Sequence, residues 1–318
     1  MTTETVTVEA SARLHFGLLD LRGALGRRFG GVGACAPEVT TRITVSLADS
    51  VEATGTDAER ASEFACRFLG HFGLPRGAQI RIDRAVPAHF GLGSGTQLAL
   101  SVARALAELH GVHANAPELA RAVRRAKRSA VGTWTFAGGG LVVEGGRRVD
   151  VDHGVGPLLA RLPFPSTWRC VLALPDARPG VSGAAEAQAF AALPVPDERD
   201  TERASYLVLM AMLPSLADGD IVSFGSALTE LQEINGRWFA PAQGGTFAPG
   251  PSTEIIRLMR DCGAPGVGQS SWGPAVYAVV DGDAAASSLA ARLHNAYGDR
   301  VVVHTGAFPS HGALVSRR

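Results

Sequence analysis

The chain has 318 residues with 30 basic and 30 acidic side chains, so its formal net charge at pH 7 is zero. This balance argues against general electrostatic binding to nucleic acid or to an anionic membrane. Hydrophobic residues make up 46% and charged residues 19% of the sequence, which excludes a disordered chain. No apolar run approaches the roughly 18 residues of a membrane span, and residues 1–10 lack a signal-peptide core. We therefore expect a cytoplasmic protein that binds neither nucleic acid nor membrane.

Glycine and lysine occur in unusual numbers. The sequence has 38 glycines, whereas average usage predicts roughly 22 in a chain of this length. They cluster in residues 23–33, 91–95, 138–146 and 263–273. Clustered glycine indicates loops in which the backbone approaches another group closely. Lys127 is the only lysine, so a basic side chain that holds a phosphate here must be an arginine or Lys127 itself.

The first half of the chain predicts strands mixed with helices. Alternating apolar and polar residues predict strands at residues 6–10, 13–19, 41–47 and 79–83. Apolar residues at helical spacing predict helices at residues 57–72, 98–110 and 117–128. A hairpin is predicted where a pair of glycines separates residues 141–144 from residues 148–151.

The second half predicts helices packed on one sheet. Pro163 and Pro165 mark a boundary between two predicted domains, residues 1–165 and residues 166–318. Strands are predicted at residues 169–174, 275–280 and 300–305. Helices are predicted at residues 204–212, 220–234, 252–262 and 284–297, with Ser252 as the N-cap of the third. This order of elements is typical of an α+β fold.

Residues 91–96 (GLGSGT) stand directly before a predicted helix. Glycines and small hydroxyl residues at this place expose several backbone N–H groups, to which the helix dipole adds partial positive charge. The segment therefore predicts a phosphate-binding loop, and the alternative is a tight turn with a serine N-cap. It is neither a Walker A loop, because no Lys-Ser/Thr pair follows, nor a dinucleotide-binding fingerprint, because the glycine spacing differs.

Residues 87–96 (PAHFGLGSGT) resemble the phosphate-binding motif of the GHMP kinase superfamily. The resemblance implies an α+β, two-domain GHMP-kinase-like fold with a ferredoxin-like C-terminal domain and the active site between the domains. Further segments resemble one branch of that superfamily, the β-ribofuranosylaminobenzene 5'-phosphate synthases, and the match covers nearly the whole chain. These segments are residues 11–20 (SARLHFGLLD), 26–33 (GRRFGGVG), 91–99 (GLGSGTQLA), 268–274 (GQSSWGP) and, more weakly, 243–245 (QGG).

The resemblance implies a glycosyltransferase rather than a kinase. Members of this branch join phosphoribosyl pyrophosphate to 4-aminobenzoate, form a carbon–carbon bond, and release carbon dioxide and pyrophosphate. A related group acts on aminopyrazole carboxylates in C-nucleoside antibiotic biosynthesis of the formycin and pyrazofurin type. Superfamily kinases that use a catalytic aspartate carry it in a segment that corresponds to residues 131–137 (VGTWTFA), where this chain has no carboxylate.

The acceptor is predicted from that same segment. Trp134, Phe136 and Ala137 stand where the aminobenzoate enzymes have small residues and a Glu-His pair. If these residues line the acceptor pocket, the acceptor differs from 4-aminobenzoate, so we favour an aminopyrazole carboxylate and a C-nucleoside pathway. The alternatives are 4-aminobenzoate in the methanopterin pathway, a small-molecule kinase that uses ATP, and an inactive binding protein of this fold.

The candidate site residues come from the same motifs. Arg13 and His15 alternate on a predicted strand and therefore share one face. We expect His15 and Asp20 to be catalytic, with Asp20 also a ligand for the Mg²⁺ that the resemblance implies; the alternatives are a core histidine and a turn aspartate. The predicted substrate-binding residues are Arg13, Arg27, Arg28, Gly91, Gly93, Ser94, Gly95, Thr96, Gln97, Gln269, Ser270, Ser271 and Trp272.

The remaining expectations concern the role of Trp272, two weaker candidates and residues 124–128. Trp272 is expected to stack on the aromatic acceptor or to belong to the core. Arg237 and Gln243 are weaker candidates for substrate binding. Residues 124–128 (RRAKR) are expected to form a solvated helix face. The family also implies a homodimer.

Overall fold

The computed structural model describes residues 4–75, 77–151, 154–177, 180 and 183–318, which form two sheets with helices on their outer faces. An eight-stranded sheet consists of β1 (Thr5–Asp20), β2 (Arg27–Ser46), β3 (Val51–Thr54), β4 (Ala78–Arg84), β5 (Leu141–Glu144), β6 (Arg147–Arg148), β7 (Leu158–Leu162) and β12 (Leu314–Arg317). A four-stranded sheet consists of β8 (Trp168–Pro175), β9 (Gly266–Gln269), β10 (Val276–Asp281) and β11 (Val301–Ala307), in the order β11-β8-β10-β9.

The helices fall into two sets along the chain. The first set is α1 (Ala58–Phe72), α2 (Ser94–Leu109), α3 (Ala116–Ala122) and α4 (Val131–Gly138). The second set is α5 (Gly183–Ala192), α6 (Glu198–Leu207), α7 (Leu213–Asp218), α8 (Ile221–Gln243), α9 (Pro251–Asp261) and α10 (Gly282–Tyr297). A π-helical turn, Val208–Met212, joins α6 to α7. Among the described residues, no helix combines the length and the apolar character needed to cross a membrane.

Strand β1 spans both of the first two predicted strands. Its even-numbered residues from Val6 to Leu18 are buried, as the alternation predicts. Val6, Val8 and Ala10 belong to the core under α1 and α2, whereas Leu14 and Phe16 belong to the core between the two sheets. Register shifts after Ser11 and after His15 bend the strand as it pairs with β2. The bent strand therefore connects the two parts of the molecule.

A shared core joins the two sheets. The Phe16 ring of β1 lies 5.0 Å from the Tyr277 ring of β10, centroid to centroid. Trp168 of β8 packs on Phe224 of α8 at 5.1 Å. Two further cores lie under α1 to α3 and under α9 and α10. This arrangement is the two-domain α+β fold that the sequence predicts.

The strands change from the first sheet to the second between Leu162 and Trp168, close to the predicted boundary. The final strand returns to the first sheet, where Val315 pairs with Val8 of β1. The division into residues 1–165 and 166–318 therefore stays a prediction, with residues 314–317 paired in the first sheet.

Three local predictions are wrong. Strands β5 and β6 both pair with β2 and do not form a hairpin with each other. Helix α3 ends at Ala122, not at residue 128, because Arg124 and Ala126 adopt left-handed backbone conformations with φ of 58° and 62°. Ser252 lies inside α9, where its hydroxyl donates to the Pro274 carbonyl at 2.9 Å instead of capping the helix.

Candidate active site

A cleft with a cavity volume of about 670 Å³ opens between loops and helices of the two domains. The first domain contributes β1, α1, the glycine loop and the segment after α3. The second contributes α5, α8 and the loop after β9. The glycine-loop residues that line the cleft are Gly91, Leu92, Gly93, Ser94, Gly95 and Thr96. This placement agrees with the expected position of an active site between the domains.

The glycine loop delivers the N-terminus of α2 to the cleft. Gly93 is the N-cap with φ of 73° and ψ of 22°, and no side chain caps the helix, so Ser94 does not act as the cap. A side chain at Gly91 would overlap the Ser270 carbonyl, and one at Gly95 would collide with the Arg60 guanidinium. The glycines therefore permit close packing around an N-terminus that is free to bind an anion.

Basic residues surround this helix N-terminus. The Arg125 guanidinium donates to the Thr96 hydroxyl at 3.2 Å. Burial lowers the pKa of Arg125 to about 10, and the charge of Arg60 adds to that shift. Among the described residues, seven basic ones line the cleft, against the two acidic residues Glu63 and Glu186. The basic residues are Arg13, Arg60, Arg67, Arg124, Arg125, Lys127 and Arg128. A protein of zero net charge thus has a strongly positive cleft.

The sequence did not predict most of these cations. Residues 124–128 were expected on a solvated helix face, and that expectation is wrong because α3 ends before them. The left-handed conformations of Arg124 and Ala126 turn the chain back toward α2. Arg60 lies on α1, more than 30 residues before the glycine loop, and no local motif links the two.

Arg13 and His15 both line the cleft, as the alternation on β1 predicts. The Arg13 guanidinium donates to the Gly91 carbonyl, and burial lowers the pKa of Arg13 to about 10. The Nε2 atom of buried His15 lies 3.1 Å from the Ser129 hydroxyl. Burial, reinforced by the charge of Arg13, holds the pKa of His15 well below its ordinary value. The imidazole is therefore neutral at pH 7.

Glu144 lies behind His15 and Ser129 and is completely buried. Its carboxylate accepts hydrogen bonds from the Ala130 N–H at 3.1 Å and from the Gly146 N–H at 2.8 Å. Burial nevertheless raises the pKa of Glu144 to about 7. We did not predict this residue from the sequence. The signal that could have found it is a carboxylate at the end of the apolar strand β5, because buried carboxylates are uncommon.

Another part of the cleft lining, here called the aromatic end, is a cluster of three aromatic side chains, and it meets the basic residues where the Arg128 guanidinium lies over the Phe190 ring at 5.2 Å. Phe190, Phe239 and Trp272 all line the cleft. The Trp272 ring lies 5.4 Å from Phe190 and 4.6 Å from Phe239, centroid to centroid. Trp272 belongs to this buried cluster and also lines the cleft, so its stacking on the acceptor stays a prediction. No motif in the sequence pointed to Phe190 or Phe239, which come from two separate helices.

Gln97, Gln269 and Ser270 do not line the cleft, although all three were predicted to bind substrate. Gln97 donates to the Gly132 carbonyl at 3.1 Å and packs α2 on α4. Gln269 receives the Ala248 N–H at 2.7 Å and lines a separate small cavity together with Gln243. The hydrogen bonds of these two side chains therefore go to residues that do not line the cleft. Of residues 269–272, only Ser271 and Trp272 face the cleft.

Asp20, Arg27 and Arg28 also lie outside the cleft lining. The Asp20 carboxylate accepts the N–H groups of Arg22 at 2.5 Å and Gly23 at 3.0 Å, so it stabilises the turn after β1. Arg27 donates to the Gly146 carbonyl at 2.9 Å, and Arg28 lies over the Phe29 ring. Asp20 is therefore a turn aspartate, which was the alternative to a catalytic role. Arg237 pairs with Asp200 at 3.0 Å on an exposed surface.

The described residues do not fit a preformed magnesium site. They contain no group of three or more His, Cys, Asp or Glu side chains that could hold a metal ion. Asp20 is committed to its turn, as described above. The two carboxylates of the cleft are paired with arginines, Glu63 with Arg67 and Glu186 with Arg128. The prediction that Asp20 binds Mg²⁺ therefore has no support in the geometry.

The segment expected to line the acceptor pocket faces elsewhere. Trp134 of α4 donates from Nε1 to the Gly156 carbonyl at 2.8 Å, and Phe136 is buried in the core under α1 to α3. No residue of 131–137 lines the cleft. Gly132 does lie against Thr96, so α4 borders the glycine loop without bringing a carboxylate to it. Trp134, Phe136 and Ala137 therefore give no support for an acceptor other than 4-aminobenzoate.

Comparison with known proteins agrees with the fold and the position of the glycine loop. Residues 59–140 match the model of the GHMP kinases N terminal domain, and residues 212–299 match that of the GHMP kinases C terminal domain. The structure is similar to homoserine kinase from Cytophaga hutchinsonii, with a TM-score of 0.73, 17% identity, and coverage of 99% of this chain and 98% of that one. Phosphomevalonate kinase from Streptococcus pneumoniae gives a TM-score of 0.70 at 12% identity, with 96% and 99% covered.

Two curated relatives are more similar in sequence. Beta-ribofuranosylphenol 5'-phosphate synthase from Methanothermobacter thermautotrophicus is 37% identical over 298 residues, which cover 86% of this chain and 88% of that protein. The protein of the same name from Archaeoglobus fulgidus is 35% identical over 286 residues, which cover 86% and 87%. The chain therefore belongs to the GHMP kinase superfamily, in the branch that contains these two synthases.

Proposed function

We propose that this protein is a C-ribosyltransferase that joins the ribose 5-phosphate unit of phosphoribosyl pyrophosphate to a benzene ring carrying a carboxylate. Carbon dioxide and pyrophosphate are the other products. The observation that carries the proposal is one cleft that is lined both by seven basic residues, the basic end, and by the aromatic cluster of Phe190, Phe239 and Trp272. The names of the relatives describe a product in which ribose 5'-phosphate is attached to a phenol.

The basic end suits the donor substrate. Phosphoribosyl pyrophosphate carries a phosphate and a diphosphate, and the leaving diphosphate gains negative charge as its bond to C1 of the sugar breaks. The N-terminus of α2 and the guanidinium groups of Arg60 and Arg125 are placed to stabilise that charge. Magnesium, which the resemblance implies, would enter with the diphosphate as part of the substrate, because the part of the chain that the structure describes offers no cluster of metal ligands.

The aromatic end suits the acceptor. Phe190, Phe239 and Trp272 can hold a benzene ring against the sugar, with the carboxylate-bearing carbon near C1. Electron density from a hydroxyl or amino group opposite the carboxylate moves to that carbon, which bonds to C1 as pyrophosphate leaves. Loss of carbon dioxide then returns the electron pair to the ring. His15, held neutral by burial, adds no positive charge beside the cationic sugar.

The preferred acceptor is therefore a hydroxy- or aminobenzoate, not the aminopyrazole carboxylate favoured from the sequence. The aminopyrazole hypothesis depended on Trp134 and Phe136, which do not line the cleft. The relatives' names also point to a benzene ring. An ATP-dependent kinase is less well supported, because residues 131–137 carry no carboxylate and Glu63 and Glu186 are paired with arginines. A homodimer stays a prediction.

The test is a mass-spectrometric assay with Mg²⁺ and phosphoribosyl pyrophosphate. Four parallel reactions would contain 4-hydroxybenzoate, 4-aminobenzoate, an aminopyrazole carboxylate, or ATP with homoserine. We expect a decarboxylated ribosyl product from one or both benzoates. Product from the aminopyrazole alone would overturn the choice of acceptor, and turnover only with ATP would overturn the reaction class. The Ser94→Ala variant tests the glycine loop, since it should weaken binding of phosphoribosyl pyrophosphate without unfolding the protein.

A further inference from the structure

Arg128 lies where the basic end of the cleft meets the aromatic end. It comes from the segment after α3, and its guanidinium lies over the Phe190 ring of α5, 5.2 Å from the ring centroid. Of the seven basic residues in the described part of the cleft lining, Arg128 is the one whose guanidinium lies over a ring of the aromatic end. A ligand that occupies both ends therefore has to pass beside this guanidinium.

The protein uses only part of the Arg128 guanidinium. Its Nη2 atom donates to the Glu186 carboxylate, and the Arg128 side chain is 29% exposed. Within the described residues, neither Nε nor Nη1 of Arg128 makes a hydrogen bond. A guanidinium has five N–H donors in a planar fork that fits a carboxylate. Glu186 thus holds the fork at one nitrogen and leaves the donors of the other two for a ligand.

The arginines at the glycine loop are placed for a different ligand. Arg13 and Arg125 donate hydrogen bonds to residues of that loop, and the Arg60 guanidinium lies beside it. These three side chains surround the N-terminus of α2, which suits the phosphates of the donor substrate. Arg128 instead pairs with α5 of the second domain and touches an aromatic ring. Its position favours a ligand that combines one anionic group with a ring.

We propose that Arg128 binds the carboxylate of the acceptor and so selects an aromatic acid as the second substrate. The identity of this ligand rests on the proposed function. The carbon that bears the carboxylate is the one that bonds to C1 of the sugar. A carboxylate held where the two ends meet therefore keeps that carbon beside the ribose, while the benzene ring lies against Phe190 and Trp272.

The first test measures recognition of the carboxylate without turnover. Calorimetry at saturating Mg²⁺ and pyrophosphate would compare 4-hydroxybenzoate with 4-hydroxybenzamide, an uncharged analogue of similar shape. The wild type should bind the benzoate about 10-fold more tightly, as expected for hydrogen bonds between charged groups. Arg128→Gln should bind the two ligands equally, whereas Arg125→Gln should keep the preference. The proposal is overturned if the wild type shows no preference, if Arg128→Gln keeps it, or if both variants lose it.

Two controls accompany this test. Arg128→Gln should bind pyrophosphate with Mg²⁺ within about twofold of the wild type, because the exposed pair with Glu186 contributes little to the fold. A large loss of pyrophosphate binding would assign Arg128 to the donor and refute the proposal. Arg128→Lys keeps the charge but not the planar fork, so its preference for the benzoate should be smaller than that of the wild type. A full preference in this variant would refute recognition by the guanidinium.

The second test separates binding from catalysis. Because the carboxylate leaves as carbon dioxide, its ion pair with Arg128 stabilises the bound acceptor and is lost in the product. Arg128→Gln should therefore raise the KM for 4-hydroxybenzoate about 10-fold without lowering kcat. Steady-state kinetics gives both constants. A fall in kcat at an unchanged KM would contradict the proposal.

The two proposals can fail separately. A wild-type protein that prefers the benzoate through Arg128, yet makes no ribosylated product, would contradict the proposed function alone. A protein that makes the product, but whose Arg128→Gln variant keeps the preference for the benzoate, would contradict the inference alone.

Discussion

The Ser270 hydroxyl donates a hydrogen bond of 2.7 Å to the Gly91 carbonyl, which joins the loop after β9 to the glycine loop. The same hydroxyl accepts the His15 N–H at 2.9 Å. One buried side chain of the second domain thus fixes β1 and the glycine loop relative to each other. Ser270 was predicted to bind substrate, and the structure instead places it where it holds two parts of the cleft in register.

Replacing Ser270 by alanine should lower the free energy of unfolding by about 1–3 kcal/mol, because it leaves the buried His15 N–H without a partner. Urea unfolding followed by circular dichroism measures this loss. Ser271→Ala is the matched control, since Ser271 is a half-buried neighbour in the same loop. Equal stability of the two variants would show that the bridge contributes nothing.

Replacing Arg125 by alanine should weaken the binding of phosphoribosyl pyrophosphate by about 10- to 100-fold. This range corresponds to the loss of about 1.5–3 kcal/mol for hydrogen bonds to a charged group. Arg60→Ala should have a similar effect, since both guanidinium groups lie at the N-terminus of α2. Calorimetry measures the affinity. Arg203→Ala removes the same charge from an exposed pair with Glu230 and should bind normally. Parallel losses in all three variants would indicate a general charge effect instead of a defined site.

Replacing Phe190 by leucine should raise the KM for the benzoate by about 3- to 10-fold, because an aromatic contact contributes about 0.5–1.5 kcal/mol beyond its buried area. The KM for phosphoribosyl pyrophosphate should change less, since Arg128, which lies over the Phe190 ring, keeps its ion pair with Glu186. Steady-state kinetics with each substrate varied in turn gives both constants. The control is Phe164→Leu, whose ring stacks on Phe308 at 3.9 Å outside the cleft. A rise in the donor KM instead would contradict the division of the cleft into two ends.

Stability should depend on pH through Glu144. Its pKa is raised to about 7 in the folded protein, from 4.5 for an unperturbed glutamate, so the folded state binds this proton more tightly than the unfolded state. The free energy of unfolding should therefore fall as the pH rises from about 4.5 to about 7, by up to about 3 kcal/mol for this group. Above pH 7 the contribution should be constant.

Unfolding experiments at several pH values, on the wild type and on Glu144→Gln, isolate this contribution. The glutamine cannot ionise, so its profile lacks the component due to this site. The difference in the free energy of unfolding between the wild type and Glu144→Gln should narrow or reverse as the pH rises from about 4.5 to about 7. Parallel profiles would mean that burial does not perturb the carboxylate.

We could predict from the sequence those features of the site that depend on a short stretch of neighbouring residues. Alternation along β1 placed Arg13 and His15 on one face, and the glycine motif placed the N-terminus of α2 in the cleft. Both depend on local geometry, on the two-residue period of a strand and on glycine before a helix.

Residues that tertiary contacts bring into the cleft could not be found in this way. The helical pattern of residues 117–128 gave no sign that Arg124 and Ala126 adopt left-handed conformations, which glycine usually occupies. Phe190 and Phe239 meet only when α5 packs against α8. Asp20 was misassigned because a carboxylate after a strand suits a metal site and a turn equally well, and only the hydrogen bonds to Arg22 and Gly23 distinguish them.

Lys127 gives the cleft a natural chemical handle. It is the only lysine in the sequence, and its exposed side chain lines the basic end. Apart from the α-amino group, an amine-directed fluorophore therefore has one place to react, and that place is beside the expected diphosphate. Bound substrate should shield Lys127 from the reagent or change the emission of a dye already attached. Occupancy of the cleft can thus be followed in the wild-type protein, without introducing a single substitution.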